Sequence, residues 1–435
     1  MTSVQIVEAE LTWTGDSFEP EVQVEILTDG RVGRVGSLGL KPTLVLPHQA
    51  VMPGFVNAHS HAFQRGLRGQ GERFPSGAGS FWTWREAMYG LVDRLDRERF
   101  TDLATQAFME MRASGITTVG EFHYLHHSPD TEDFALDRAL LTAAEAAGIR
   151  LVLLVAYYRT GGINTPVSQV QQRFFTPSPT AYWEHLDGLV DDLGPNQTLG
   201  VVVHSIRAGG PGDISTLHAG AIDRGLPFHM HVEEQRREIE ASISTYGRTP
   251  MRVILDAIGD ASSFTAVHCT HTDDADRSAL LAAGGRICLC PLTEANLGDG
   301  IPMLDGVDPA RCCLGTDSNA RIDMFEEMRW LEYGQRLRGE SRGALADADG
   351  HVARTLLDAA TSGGAAALAV DAGRIATGAL ADMTVVSLDD PTLDGATPDR
   401  LLEAMVCGTD ARIVTRTAVG GSWITHRTLP NRGAV

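Results

Sequence analysis

Short runs of β-branched and apolar residues alternate with longer amphipathic segments through most of this 435-residue chain. Eight such runs recur in the middle of the chain, and helix-like segments such as residues 97–115 and 133–150 lie between them. The runs are MPGFVNAH, GITTVGEFHY, RLVLLVAYY, LGVVVHSIR, LPFHMHVEE, FTAVHCTH, GRICLCPL and RCCLGTDS. Eight strands that alternate with helices predict an α/β fold with a closed (β/α)₈ barrel, the TIM barrel.

The two ends of the chain show a different pattern. Both consist of short β-type runs separated by turns, for example VQIVEAELTW near the start and RIVTRTAVGGSWITHR near the end. We therefore expect a small β-sandwich domain formed by residues 1–52 and 373–435, with the barrel occupying residues 53–372. The segment from about Gly66 to Arg85 is rich in Gly and Ser, and we expect it to be a loop that covers the active site.

Composition narrows the range of partners. The net charge of −20 argues against nucleic acid and anionic membrane surfaces as partners. The chain has no run of about 18 uncharged apolar residues, so we expect no membrane span, and its N-terminus lacks the basic segment of a signal peptide. None of the six cysteines forms a CxxC pair. These features predict a cytoplasmic protein with reduced thiols, in which an anionic substrate would need local cations.

Polar side chains follow the predicted strands, where the catalytic groups of such barrels lie. His59 and His61 end the first strand, and at this spacing both imidazoles face the same side of an extended segment. That arrangement suits two neutral imidazoles that bind one cation. The ends of later strands carry Glu121, His123, Tyr124, His204, Arg207, His229, His231, Glu234, His268, His271 and Asp317.

Four segments, PGFVNAHSH, HMHVEE, TAVHCTH and GTDS, resemble the amidohydrolase superfamily of metal-dependent hydrolases. The resemblance extends to the C-terminal GRIATGALADMTVV and so covers nearly the whole chain. It implies a metal site, a histidine that polarises the reacting group and a carboxylate that transfers protons. The implied metal ligands are His59, His61, His231 and Asp317. The implied catalytic residues are Glu234, His268 and Asp317.

The sequence leaves an alternative for three of these residues. His229 faces the same side as His231, which is preferred because the family pattern HxxE places the ligand three residues before the glutamate. His268 is preferred to His271 because it directly ends the apolar run FTAV. Asp317 could instead be a helix N-cap, a common role for aspartate in a segment such as GTDS.

The expected number of metal ions follows from a missing residue. Two-metal members of the superfamily bridge their ions with a carbamylated lysine or, in some cases, a glutamate. The only lysine of this chain, Lys41, precedes the barrel, and the fourth strand ends in His204. We therefore expect one Zn²⁺ per subunit, the arrangement typical of the deaminase branch, with iron and other metals as competitors for the same ligands.

Further segments resemble one enzyme family of that branch. HSHAFQRGLRG, FWTWREAMYG, EFHYLHH and HSIRA are similar to the formimidoylglutamate deiminases, which release ammonia from N-formimino-L-glutamate in histidine degradation. The charge argument agrees, because a substrate with two carboxylates needs placed cations and arginine can bind a carboxylate with two hydrogen bonds. The resemblance implies that the glutamate part is held by Gln64, Arg85, Tyr124, His204 and Arg207.

Other interpretations stay open at this point. A related deaminase that acts on guanine, a pterin or an s-triazine ring would keep the same metal ligands and would have less use for Arg85 and Arg207. A non-catalytic barrel is disfavoured because such proteins usually lose ligands, and a two-metal amide hydrolase is disfavoured by the missing lysine. Relatives in the superfamily are often homodimers, so we expect a homodimer that binds a small dicarboxylate.

Overall fold

The computed structural model describes residues 4–426 with the exception of residues 71, 73, 75, 76 and 78. Within this part of the chain, the N-terminal strands are β1 (Gln5–Trp13), β2 (Phe18–Glu19), β3 (Gln23–Ile26), β4 (Val32–Gly36) and β5 (Leu44–Pro53). The central strands are β6 (Phe55–Ser60), β7 (Ile116–His123), β8 (Arg150–Tyr157), β9 (Gln197–Val203), β10 (Phe228–Val232), β11 (Phe264–His268), β12 (Arg286–Leu289) and β13 (Cys312–Leu314). The C-terminal strands are β14 (Met383–Ser387), β15 (Val414–Val419) and β16 (Ser422–Thr425).

The helices lie mainly between the central strands. They are α1 (Phe81–Val92), α2 (Arg97–Ala113), α3 (Ala135–Ala147), α4 (Pro179–Leu189), α5 (Pro211–Arg224), α6 (Arg236–Tyr246), α7 (Pro250–Ile258), α8 (Asp274–Ala282), α9 (Pro291–Leu297), α10 (Met324–Gly339), α11 (Val352–Asp358), α12 (Gly364–Ala367) and α13 (Leu401–Gly408). A 3₁₀ turn at Ala62–Leu67 follows β6 almost directly. None of the helices in the described ranges is both long enough and apolar enough to cross a membrane.

Strands β6 to β13 form the barrel. They are hydrogen-bonded in chain order and every neighbouring pair is parallel. Strands such as β7 and β8 are buried on both faces, because side chains fill the inside and helices cover the outside. This double burial explains why the sequence shows continuous apolar runs instead of alternation. The predicted (β/α)₈ barrel is confirmed, and each of the eight expected runs supplies one of its strands.

The barrel closes where its last strand meets its first. The Asp317 N–H donates to the His59 carbonyl oxygen at 3.0 Å, and the His61 N–H donates to the Asp317 carbonyl oxygen at 2.8 Å. The Asn57 side chain joins the same seam, because it accepts from the Thr316 N–H at 3.0 Å and donates to the Thr316 hydroxyl at 2.7 Å. The seam therefore places three of the expected site residues side by side.

Strands from both ends of the chain form a second sheet in the order β16-β15-β14-β5-β1-β3-β4, with β2 paired to β1. All pairs are antiparallel except β1 with β5. A buried cluster that includes Val7, Val24, Leu46 and Met383 fills one face of this sheet and is separate from the barrel core. The expected small domain from both termini is thus present, and its boundaries after residues 52 and 372 stay predictions.

The prediction of a loop from about Gly66 to Arg85 is wrong for its second part. Helix α1 begins at Phe81. Just before it, the Ser80 N–H donates to the Thr83 hydroxyl at 2.9 Å, and the Ser80 carbonyl oxygen accepts from that hydroxyl at 2.7 Å. These reciprocal bonds satisfy polar groups at the helix start and favour helix over loop. Arg85 therefore lies on a helix. Residues 71, 73, 75, 76 and 78 of the expected loop lie outside the described residues.

A buried ion pair joins the terminal sheet to the barrel. Arg150 at the start of β8 binds Asp382, just before β14, through two nitrogens at 2.7 and 3.0 Å. Asp382 also accepts the Gly420 N–H at 2.7 Å. Because the carboxylate is fully buried and its partners come from both parts of the fold, the pair fixes their contact.

We expect Arg150→Met to lower the free energy of unfolding by about 3–5 kcal/mol, because the Asp382 carboxylate would stay buried without its cation. The shift of the urea unfolding midpoint measures this effect. Arg34→Met is the control, since it removes a two-bond pair with Glu25 in which the arginine is largely exposed. Such an exposed pair contributes little to the free energy of unfolding, because solvent screens its charges. Equal midpoints for the two variants would contradict this role of Arg150.

Candidate active site

Four side chains meet at the closing seam of the barrel. Nε2 of His231 lies 3.2 Å from Nε2 of His59. Oδ1 of Asp317 lies 3.3 Å from Nε2 of His61 and 3.6 Å from Nε2 of His59. All four residues are buried, and they come from β6, from the residue directly after β6, from β10 and from the segment after β13. The ring nitrogens of the three histidines thus lie within 4.8 Å of one another around a common point, and the Asp317 carboxylate lies beside two of them.

The spacing of these atoms fits a bound metal ion. Two ligand atoms that lie about 2.0–2.1 Å from zinc at the tetrahedral angle are about 3.3–3.4 Å apart. The imidazole nitrogens of His59 and His231 lie close to this separation, at which two lone pairs with no cation between them would repel each other. The donor set of three histidines and one aspartate is one that zinc, iron and related divalent ions accept.

The second ring nitrogens hold two of these histidines in the required tautomer. Nδ1 of His61 lies 2.7 Å from the Phe122 carbonyl oxygen, and Nδ1 of His231 lies 3.0 Å from the His204 carbonyl oxygen. Each ring therefore donates its Nδ1–H to the backbone and directs the lone pair of Nε2 to the common point. Burial lowers the pKa of both rings and lowers the pKa of His59 to about 3, so the imidazoles are neutral, as metal ligands must be.

His268 and Glu234 lie beside this cluster. Nε2 of His268 is 3.7 Å from Oδ2 of Asp317 and 4.0 Å from Oε1 of Glu234. Burial acts to lower the pKa of His268, but nearby carboxylates, Glu234 first, raise it to about 10. Burial raises the pKa of Glu234. Burial acts to raise the pKa of Asp317, but the neighbouring histidines lower it. The two carboxyl groups and the imidazole therefore lie close enough for each charge to shift the pKa of the others.

The backbone is strained at two of these positions. His268 has a φ of +75° and Asp317 has a φ of +47°, in the left-handed region that non-glycine residues rarely adopt. Such conformations cost of the order of 1–3 kcal/mol each and persist where the surrounding structure fixes them. Strain at the ends of β11 and just after β13 is therefore consistent with a site that holds both side chains in set positions.

The structure separates the alternatives that the sequence left open. His229 lies deeper in the barrel, where its Nε2 is 2.8 Å from the Ala367 carbonyl oxygen, and it does not reach the cluster. His271 lines a different cavity, together with Thr270 and Thr272. Asp317 caps no helix, because the N-cap of α10 is Asp323.

The residues expected to hold a substrate line one cavity with three of the four candidate metal ligands. That cavity is bounded by the charged and polar side chains His61, Gln64, Arg85, Tyr124, His204, Arg207, His231, Glu234, His268 and Asp317. Gln64 donates to the Tyr124 hydroxyl at 2.7 Å, and its own Oε1 is buried without a hydrogen-bond partner in the described part of the chain. This oxygen is therefore available to accept a hydrogen bond from a ligand.

Arg85 and Arg207 face the cavity as unpaired cations. Nε of Arg207 donates to the Ser205 hydroxyl at 3.2 Å, and Nε of Arg85 donates to the Tyr89 hydroxyl at 2.6 Å. Neither forms an ion pair with any carboxylate of the described residues. Burial first, and then the positive charges of Arg207 and more weakly Arg85, hold the pKa of His204 well below its usual range. Both guanidinium groups therefore act on the same part of the cavity.

Sequence reasoning missed several residues of this site. Tyr89, Tyr158 and Ser205 line the cavity, and aromatic side chains of α1 form much of its wall. The spacing of Arg85 and Tyr89, one helical turn apart, is a signal that a helix prediction would have used. Glu294, whose carboxylate lies 3.4 Å from Nδ1 of His268, follows the end of β12 by five residues, and no candidate residue was predicted after this strand.

A second buried histidine cluster lies outside this cavity and differs in its distances. Asp137 lies 2.9 Å from His123, 2.9 Å from His126 and 2.7 Å from His185, measured between ring nitrogens and carboxylate oxygens. These are hydrogen-bond lengths, shorter than the separation of two ligands on one metal ion. The cluster is therefore a hydrogen-bonded network that ties β7 and its following loop to α3 and α4.

Comparison with known proteins agrees with this geometry. The family model described as the amidohydrolase family matches residues 50–424. The chain is 41% identical over 384 residues to the formimidoylglutamate deiminase of Pseudomonas aeruginosa. This match covers 86% of this chain and 84% of that protein. The crystal structure of an amidohydrolase from Brucella melitensis matches with a TM-score of 0.88 and 31% identity over 97% of this chain and 95% of that chain.

A more distant structure shows the same fold. It is an adenosine deaminase from Xanthomonas campestris with bound zinc, and it matches with a TM-score of 0.81 and 21% identity. The match covers 98% of this chain and 94% of that chain.

We expect His231→Asn to lower metal affinity by about 10-fold or more, because it removes one of the four candidate ligands. His229→Asn is the matched control, since it changes a buried histidine of the same strand that bonds only to the backbone. Metal per chain, measured by mass spectrometry after purification without chelators, should fall in the first variant and stay near one ion in the second. The opposite result would place the ligand at His229.

Proposed function

The chain belongs to the amidohydrolase family and is a hydrolase that acts on C–N bonds, and we propose that it is a zinc-dependent deaminase of N-formimino-L-glutamate. The products are N-formyl-L-glutamate and ammonia, and the reaction belongs to histidine degradation. The observation that carries this proposal is the pair of arginines without an ion pair, Arg85 and Arg207, in one cavity with His61, His231 and Asp317. The similarity to the Pseudomonas aeruginosa enzyme supports it.

The two arginines match the charge of the substrate. N-formimino-L-glutamate carries two carboxylates, and each guanidinium can donate two parallel hydrogen bonds to one of them. A chain with a net charge of −20 repels such a dianion unless cations are placed at the site. Gln64 and Tyr124 form a polar pair in the same cavity, and the free Oε1 of Gln64 can accept a hydrogen bond from an N–H group of the substrate.

The residues around the metal position account for the proton transfers. Zinc, when bound by His59, His61, His231 and Asp317, lowers the pKa of water toward 7 and so makes it a nucleophile at neutral pH. Asp317 accepts a proton from the attacking water as its oxygen bonds to the formimino carbon. His268 faces the reacting group with Nε2. Glu234 gives its own proton to the terminal nitrogen, which becomes NH2, and then takes the proton of the newly formed hydroxyl. The water proton held by Asp317 moves to the same nitrogen, the C–N bond breaks with its electron pair on that nitrogen, the carbonyl forms, and ammonia leaves.

One observation favours a second candidate function. Six aromatic side chains line the cavity, namely Phe81, Trp84, Tyr89, Tyr124, Tyr158 and Phe174. Aromatic walls suit a flat ring, as in guanine or a pterin. A deaminase of such a ring would use the same metal ligands and the same acid and base. It would leave Arg85 and Arg207 without a ligand carboxylate, and for this reason the dicarboxylate is preferred. The expected homodimer and cytoplasmic location stay predictions.

We expect the zinc-loaded protein to release ammonia rapidly from N-formimino-L-glutamate and slowly from guanine or from a formimino compound without carboxylates. Coupled ammonia assays of the three compounds, run side by side, make this comparison. Activity only on guanine or on the carboxylate-free compound would retain the hydrolytic site and remove the assigned role of the arginines.

We expect Arg207→Met to raise KM for N-formimino-L-glutamate about 10- to 100-fold, because a hydrogen bond between charged groups contributes about 1.5–3 kcal/mol. Bound metal should not change. Arg224→Met is the control, since Arg224 ends α5 at the opposite face of the barrel and stacks on Trp183 at 4.0 Å. An unchanged kcat/KM in Arg207→Met would show that the substrate assignment is wrong.

A further inference from the structure

Glu294 is a buried acid that lies behind His268 and outside the substrate cavity. Its Oε1 is 3.4 Å from Nδ1 of His268, and the same oxygen accepts the Cys290 N–H at 3.0 Å. The residue is 3% exposed and belongs to α9, the helix that follows β12. The Cys290 N–H at the start of α9 holds the Glu294 carboxylate in one position. The carboxylate can therefore hold the neighbouring imidazole in place by a hydrogen bond.

The two nitrogens of His268 have different neighbours. Nε2 faces the site, with Asp317 at 3.7 Å and Glu234 at 4.0 Å. Glu294 supplies the acceptor for Nδ1. His268 also lies on a left-handed backbone with a φ of +75°, and Cys269 follows with a φ of +52°. His268 is the last residue of β11 and pairs with Val232 of β10. These ladder bonds hold the backbone but do not set the direction of the ring, so a side-chain contact has to do so.

We propose that Glu294 is a positioning residue that holds the His268 ring through an Nδ1–H···Oε1 hydrogen bond and so keeps Nε2 directed at the reacting group. The chemical role of this contact rests on the function proposed above. With its Nδ1–H bonded to Glu294, the ring presents Nε2 to the reacting group. The ring also keeps one orientation, because a turn about the Cβ–Cγ bond would break the hydrogen bond and present carbon to the carboxylate.

Outer hydrogen-bond partners of this kind have measurable effects on activity. Removing a group that orients a site histidine typically lowers activity about 10- to 100-fold. We therefore expect Glu294→Gln to lower kcat by about 10- to 100-fold and to leave KM unchanged, since Glu294 does not line the substrate cavity. Bound metal should also be unchanged, because Glu294 is not among the four candidate ligands. Glu294→Asp keeps the charge and should recover part of kcat.

The chain offers a matched control for a buried glutamate. Glu327 on α10 is fully buried, and its Oε2 accepts the Leu292 N–H at 3.0 Å, two residues from the amide that Glu294 binds. It makes no hydrogen bond to a histidine among the described residues. Glu327→Gln therefore changes the same chemical group in the same neighbourhood and should leave kcat near the wild-type value.

The experiment measures kcat, KM, metal content and thermal midpoint for Glu294→Gln, Glu294→Asp and Glu327→Gln. It also records the low-field proton NMR spectrum of the metal-loaded protein, where an Nδ1–H shared with a carboxylate gives a signal. We expect that signal in wild type and Glu327→Gln, and we expect it to vanish in both Glu294→Gln and His268→Asn. A loss of kcat in Glu294→Gln with normal metal content and thermal midpoint supports the proposal.

Two results would overturn the proposal. One is a kcat for Glu294→Gln that equals that of Glu327→Gln, and the other is a low-field signal that persists without Glu294. If wild type releases no ammonia from N-formimino-L-glutamate, the proposed function fails, and the NMR comparison still tests the contact between Glu294 and His268. The two failures are therefore distinguishable.

Discussion

The closure of the barrel between its first and last strands is the constraint on which the site depends. One residue makes the closing bonds and also supplies a ligand, since the Asp317 backbone binds His59 and His61 while its carboxylate faces their imidazoles. The two strands approach closely at Gly315, where a Cβ atom would lie 2.7 Å from Cβ of His59. A larger side chain there would push the strands apart and separate the ligands. Barrel closure and metal-site assembly are therefore one structural event.

Electrostatics divides the site into two regions. Near the seam, buried carboxylates surround His268 and the neutral ligand histidines, an arrangement that suits a cation. On the other side of the cavity, Arg85 and Arg207 are held by hydroxyl groups of Tyr89 and Ser205 and keep their charge for a ligand. A hydroxyl partner orients a guanidinium without neutralising it. The same chain can thus bind a cation and an anionic substrate in one cavity at a net charge of −20.

Much of this arrangement could be predicted from the sequence because it follows from strand periodicity. The spacing of His59 and His61 and the order of eight apolar runs indicate a barrel with ligands at one end. Periodicity alone does not separate His229 from His231, since both face the barrel interior and differ only in depth, by about 6–7 Å for two residues of a strand. The Ala367 carbonyl that binds His229 comes from a helix 138 positions later. Distant contacts of this kind, and the contact of Glu294 with His268, have no local signal.

The sheet built from both termini has a consequence for synthesis on the ribosome. Pro53 at the end of β5 pairs with Met383 of β14, a partner 330 positions later. At about 5–20 residues per second, the ribosome needs roughly 15–65 seconds to make that stretch. During this time the nascent chain presents the open edge of β5, with its unpaired backbone groups, before the strand that covers it exists. The protein should therefore depend on chaperones that shield nascent strands, and C-terminal truncations should aggregate even where the barrel itself is complete.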